Sequence, residues 1–131
     1  MPVAIDTSVL IEAERLGGLD DLLPRSELGP YYIPAFAASE FLIGVHPPVK
    51  DALRYRALLI YQNIFKRMVS VFNEADAAEL AALSSALKRT GQPMKFYDAG
   101  IAATVMARGD KLLTSDDDFD RLAKKITILK I

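Results

Sequence analysis

Apolar positions along this chain fall into two patterns. Short runs at Val3–Ile5, Tyr31–Ile33, Met68–Phe72, Lys111–Thr114 and Ile126–Leu129 are rich in β-branched or aromatic residues. Each is too short for a helix and suits a strand buried on both faces. Between them lie longer stretches of helical period. Residues 34–45 and 49–67 form one pair, divided by Gly44 and Pro47-Pro48, where a helix must stop. Residues 75–90 carry Ala75, Ala78, Leu80, Ala82, Leu83, Ala86 and Leu87 before the stop signal Thr90-Gly91. Residues 97–108 run to Arg108-Gly109, a basic last turn followed by a helix-ending glycine. Strands alternating with helices require crossover connections, and so predict a mostly parallel, doubly wound α/β sheet. Such sheets bind ligands beyond the carboxyl ends of their strands. No internal repeat, low-complexity tract or Ser/Gly-rich linker interrupts the pattern, which reads as one domain over 1–131.

Composition narrows the chemistry. The 131 residues include no cysteine and one histidine, His46. Thiolate zinc sites, iron–sulfur clusters and cysteine nucleophiles therefore drop out, and a Ser-His-Asp triad has little to draw on. His46, beside two prolines at a helix end, reads as a turn residue. Any metal must be held by oxygen. The 16 basic side chains are balanced by 17 acidic ones, for a net charge of −1. That balance argues against wholesale coating of nucleic acid but leaves room for a local basic strip. The opening Met-Pro-Val-Ala-Ile-Asp has no basic residue before its short apolar run, so it does not read as a signal peptide. No stretch approaches the roughly 20 apolar residues that span a bilayer. The expectation is a cytoplasmic protein without a membrane partner.

Four carboxylates fall where the sheet rule says to look. Asp6 follows the first strand and Asp116 the fourth, in Leu113-Thr114-Ser115-Asp116-Asp117-Asp118. Each alone could be a helix N-cap. Glu40 shares a helix face with Phe36, Ile43 and Gly44 in a segment that is almost entirely apolar. A carboxylate on a buried face needs a cation, a metal or a raised pKa, and an arginine partner would serve equally well. Asp98 opens a helix in which Ile101, Ala102 and Val105 lie at offsets of three, four and seven, aligning it with the stripe that faces the sheet. Like charges brought to one rim would repel and take up protons unless a cation neutralised them. Oxygen ligands without His or Cys favour Mg²⁺ or Mn²⁺. That chemistry suits hydrolysis at phosphorus.

The ordered set Val3-Ala4-Ile5-Asp6-Thr7-Ser8-Val9-Leu10-Ile11, Ala38-Ser39-Glu40-Phe41-Leu42-Ile43-Gly44, Asp98-Ala99-Gly100-Ile101-Ala102-Ala103 and Leu112-Leu113-Thr114-Ser115-Asp116-Asp117-Asp118-Phe119 resembles the PIN-domain ribonucleases of the VapC toxin type, from bacterial or archaeal toxin–antitoxin pairs. The resemblance spans nearly the whole chain. It implies a three-layer α/β/α fold with a mostly parallel, roughly five-stranded sheet and a protruding helical pair. It also implies a catalytic metal site of Asp6, Glu40, Asp98 and Asp116, with Asp6 and Asp98 as core ligands. Asp118 could support a second ion, and Thr7, Ser8 and Thr114 match the family's hydroxyls near the site; capping and turn formation explain those three equally well. Asp117 reads more simply as a solvated first-turn residue. The implied reaction is cleavage of single-stranded or looped RNA to a 5′-phosphate and a 3′-hydroxyl. The implied partners are a cognate antitoxin, whose tail presents a basic side chain to the acidic cluster, and a second copy in a homodimer.

RNA binding would also need cations and stacking surface. Lys50, Arg54, Tyr55 and Arg56 are candidates, as are Lys95 and Tyr97 beside Asp98, although a solvated helix face would look the same. The stripe Leu53, Ala57, Ile60, Ile64 with Leu58, Tyr61 and Phe65 is wider than a core needs, and part of it could cover a partner. Gly100 stands where the family commonly has a larger apolar residue, which would loosen that helix start. Two rival readings remain. One is another Mg²⁺-dependent phosphohydrolase: a haloacid-dehalogenase-like enzyme would want an Asp where Ser8 stands, and a receiver domain a Lys where Asp116 stands. The other is a PIN-like binding module without catalysis, against which the four retained acidic positions argue.

Overall fold

A computed structural model describes residues 1–23, 29–46 and 49–131; the Pro47-Pro48 break lies outside the described residues. Five strands, β1 (Val3–Ile5), β2 (Tyr31–Pro34), β3 (Val69–Ser70), β4 (Lys111–Thr114) and β5 (Thr127–Lys130), form one sheet in the order β3-β2-β1-β4-β5. Every pairing is parallel: Val3 faces Tyr31 on one side and Lys111 on the other, Ile33 faces Val69, and Leu112 faces Ile128. The helices are α1 (Thr7–Leu16), α2 (Ala35–Gly44), α3 (Asp51–Asn63), α4 (Glu74–Arg89) and α5 (Phe96–Arg108), giving the three-layer α/β/α architecture expected. Val3, Ala4 and Ile5 are wholly buried because the central strand is covered on both faces, as are Leu112 and Leu113 of β4. Against them pack Val9, Leu10 and Ala13 of α1 and Ile101, Ala102 and Val105 of α5.

Helix boundaries follow local chemistry. Helix α4 starts with a reciprocal capping box, in which the Asn73 side chain accepts from the Asp76 N–H at 3.0 Å and Asp76 accepts from the Asn73 N–H at 3.0 Å. Helix α5 ends at Gly109, whose φ of 68° is the left-handed conformation that closes a helix at low cost for glycine. It begins at Phe96, so Asp98 sits in its first turn and not at its start. The helix expected over 49–67 is shorter. It ends at Asn63, and the chain tightens into a 3₁₀ turn, Phe65–Met68, that buries Phe65. Met68 is thereby taken from the expected strand, leaving Val69–Ser70 as a short edge strand.

The strand order fixes where a ligand can sit. The chain leaves β1 toward β2 on one side, whereas β4, on the other side of β1, leads on to β5. Connections that diverge from two adjacent strands open a crevice beyond their carboxyl ends. Asp6 follows β1 and Asp116 follows β4, so the crevice is lined by the acidic residues singled out in the sequence.

Candidate active site

Asp6 occupies the N-cap position of α1 in extended backbone, yet its side chain makes no capping bond to the helix. Its Oδ2 instead accepts from Ser8 Oγ at 2.8 Å and from Thr114 Oγ1 at 2.7 Å. Each hydroxyl is pinned in turn: Thr114 Oγ1 accepts from the Asp116 N–H at 2.9 Å, and Ser8 Oγ accepts from the Ser115 N–H at 3.1 Å. This network stitches the end of β1 to the end of β4 and holds the Asp6 carboxyl at 2% exposure. Burial pushes that carboxyl's pKa up, opposed by the bonds from Thr114 and Ser8.

Asp98, 6% exposed, reaches the crevice from α5. One carboxylate oxygen each from Asp98, Asp116 and Asp118 lies within 4.8 Å of the others. The pKa of Asp98 is pushed up to about 6, first by burial, then by the charges of Asp6, Glu40 and Asp116, with Lys95 pulling the other way. Asp116 also acts as a turn cap, accepting from the Asp118 N–H at 2.9 Å through Oδ1.

Glu40 lines the same crevice from α2, half-buried. Its face of α2 is not turned into the core: Ile43 is 57% exposed, and the buried positions are Ala37, Ala38 and Phe41. The near absence of polar residues in this segment reflects a helix with an apolar groove on its open side. Among the described residues no ion pair engages Glu40. Thr7 Oγ1 is buried beside the site without a hydrogen-bond partner among the described residues. Converging carboxylates, an elevated Asp98 and an orphaned hydroxyl together make a donor set that fits a hard divalent cation.

The crevice continues as a groove of about 650 Å³ that runs from Asp6, Asp98 and Asp116 past Glu40, between Ile11 and Glu14 of α1, Phe41 and Val45 near α2, and Leu53, Arg56 and Ala57 of α3. The profile of the PIN domain matches residues 3–125. The chain belongs to the PIN domain family. Solved structures share the fold over nearly full length. VapBC2 of Rickettsia felis, bound to a DNA fragment from its promoter, matches with TM-score 0.79 and 18% identity over 99% of this chain and 98% of that one. VapBC-5 of Mycobacterium tuberculosis, a member of the VapBC family of toxin–antitoxin systems, gives 0.74 and 22% over 100% and 98%. FitAcB of Neisseria gonorrhoeae gives 0.71 and 21% over 97% and 96%. At these identities the likeness establishes the fold. Curated proteins gave no match.

The candidate cations of this PIN domain divide by place. Lys95 and Arg56 line the groove, whereas Lys50 and Arg54 are not among its lining residues. Arg54 pairs with Asp51 at 3.1 Å in the first turn of α3, the solvated-face arrangement. Arg56 crosses from α3 to α1, donating from Nε to Glu14 at 2.7 Å. Tyr97 packs into an aromatic cluster with its centroid 5.9 Å from Phe36, while its neighbour Phe96, not singled out in the sequence, is the exposed member. Of the wide stripe on α3, Ala57 and Ile60 are buried and Leu53 opens onto the groove. His46, exposed, lies just past α2 and lines no part of the groove. Gly100 does not loosen the α5 start: a Cβ there would lie 2.5 Å from the Phe36 ring, so the missing side chain is what lets α2 and α5 close together.

Proposed function

We propose that this PIN domain, acting as one unit over 1–131, is a metal-dependent endoribonuclease that hydrolyses phosphodiester bonds of single-stranded or looped RNA, as the toxin of a VapBC-type pair. The observation that carries the reading is the convergence of Asp98, Asp116 and Asp118 within 4.8 Å beside Asp6 and Glu40 at the β1/β4 crevice. PIN domains are in general nucleases, which supports hydrolysis as the reaction class.

Asp6, Glu40, Asp98 and Asp116 would hold an Mg²⁺ or Mn²⁺ ion, with Asp118, within 4.8 Å of Asp98 and Asp116, as a supporting carboxylate. When bound, such an ion supplies positive charge to phosphate oxygens and acidifies water. The chain's own residues do the rest. Ser8 and Thr114 fix Asp6 in one orientation. Lys95 offers a cation to the backbone at the edge of the acidic cluster, and Arg56 offers a second one further along the groove. The groove's apolar walls at Ile11, Val45 and Leu53, ending at Asp6, Glu40, Asp98 and Asp116, suit an antitoxin segment that is apolar along its length and basic at its tip. That antitoxin, a homodimeric assembly and a cytoplasmic setting belong to the proposal. Among the described residues no helix is long and apolar enough to cross a membrane.

The test is cleavage of a labelled single-stranded RNA panel by antitoxin-free protein with Mg²⁺, Mn²⁺ or EDTA, beside Asp98→Asn. Metal-dependent cutting that the variant lacks is the expected result. Failure of the parent to cut RNA and to bind Mn²⁺ would move the reading to a non-catalytic binding module.

A further inference from the structure

Phe96 opens α5 with 64% of its surface in water, although the helix from Asp98 to Val105 is buried. It is not a loose side chain. Its ring lies 5.4 Å from that of Phe36 and 6.0 Å from that of Tyr97, both edge-on. Phe36 is itself braced by Phe72 at 4.8 Å and seated against α5 because residue 100 is glycine. Three half-buried rings thus hold a fourth at the surface, one residue from Lys95 and two from Asp98.

Lys95 and Asp98, three positions apart, both line the groove, and Phe96 between them stands at its rim against Phe36. An aromatic ring fixed in water costs free energy unless something flat and apolar covers it. The exposed aromatic of α3, Tyr55, has no comparable brace among the described residues; Phe96 itself stands outside the groove lining, at its rim beside Lys95. We propose that Phe96 is a stacking platform for a nucleobase at the rim of the groove, with Lys95 on the adjoining backbone. This rests on the endoribonuclease reading above, and it adds a substrate contact outside the acidic cluster. Stacking of this kind tolerates any base, so Phe96 contributes grip and register and leaves base identity to other groups.

The chain has no tryptophan, so Phe96→Trp creates a single fluorescent reporter at the platform. Mixed-sequence single-stranded RNA 12-mers would be titrated, with Mg²⁺, into Asp98→Asn protein carrying Phe96, Phe96→Ala or Phe96→Trp, to prevent cleavage. The expected results are binding about five- to a hundred-fold weaker for Phe96→Ala, and quenching of the Trp emission by RNA but not by an abasic strand of equal length. Phe96→Ala made alone, with Asp98 intact, should bind Mn²⁺ as the parent does, which separates a lost base contact from a damaged carboxylate cluster. Unchanged RNA affinity together with an unquenched Trp overturns the proposal while leaving the endoribonuclease reading standing. Failure of the unsubstituted chain to bind or cut RNA overturns both. A Phe96→Ala chain that changes from dimer to monomer in light scattering, with RNA affinity per chain unchanged, assigns the surface to a second copy and overturns it as well.

Discussion

Replacing Asp98 with Asn should make the metal-free protein more stable while abolishing cleavage. The Asp98 carboxyl titrates at about 6 in the fold, against 3.8 for the free side chain. At about 1.4 kcal/mol per unit, discounted for solvent screening in an open crevice, the folded state disfavours the charged form by about 2 kcal/mol. Because the folded pKa is the raised one, this group's stabilising contribution is fully present in acid and is lost as pH climbs through about 6. At pH 7 the parent therefore carries nearly the whole penalty. An Asn of the same shape carries none, apart from any mismatch in its new donor group. For a domain of this length 1 kcal/mol corresponds to about 3–5 °C in Tm, so Asp98→Asn should melt about 5–10 °C higher at pH 7 in EDTA. The gap should shrink to a few degrees by pH 4.5, and Mg²⁺ at pH 7 should raise the parent's Tm more than the variant's. Thermal unfolding followed by circular dichroism at the two pH values measures all of this. A variant that melts at or below the parent in EDTA at pH 7, or a gap that ignores pH, would refute the claim that burial and like charges strain this site.

Three further outcomes follow from the contacts described. Thr114→Val removes the hydroxyl joined to both Asp6 and the Asp116 N–H; it should cost about 1–3 kcal/mol in urea unfolding and weaken Mn²⁺ binding measured by calorimetry. Gly100→Ala would ordinarily favour a helix by about 1 kcal/mol, but the 2.5 Å approach of Phe36 should reverse the sign to a loss of about 1–3 kcal/mol, and Phe36→Ala in the same chain should return part of it in a double-mutant cycle. Arg108 donates to Asp76 at 2.8 Å and to the Val71 carbonyl at 2.7 Å; Arg108→Met strands the buried Asp76 and should cost about 2–4 kcal/mol by denaturant titration, whereas Arg54→Met, which breaks an exposed pair, should stay within about 1 kcal/mol.

The sheet is legible because buried parallel strands centre on short apolar runs, as Val3–Ile5 and Leu112–Leu113 show, and rim carboxylates stand out against them. Glu40 lines the crevice, but from a helix face that is open and not buried as its apolar segment suggests. An apolar helix face can mean core or open groove, and periodicity does not distinguish the two. The 3₁₀ turn after Asn63 is not legible, since Ile64 and Phe65 continue the helical apolar stripe and only the chain path diverts them. Phe96 was missed because an exposed aromatic and a core aromatic are the same letter. Its meaning comes from Phe36 and Phe72, more than twenty residues away in sequence. The family pattern makes Gly100 look like a weakness, and the ring that fills its place is not visible from the chain.

That glycine also constrains how this chain can vary. Residues 36 and 100 share one fixed volume between two helices, so neither can change size alone. A lineage that restores an apolar side chain at position 100 must shrink the ring at position 36, and with it would go the brace under Phe96. Descendants of this sequence are thus expected to be of two kinds, glycine with a large ring or a larger residue with a small one. The aromatic surface beside the carboxylates should be inherited only with the first.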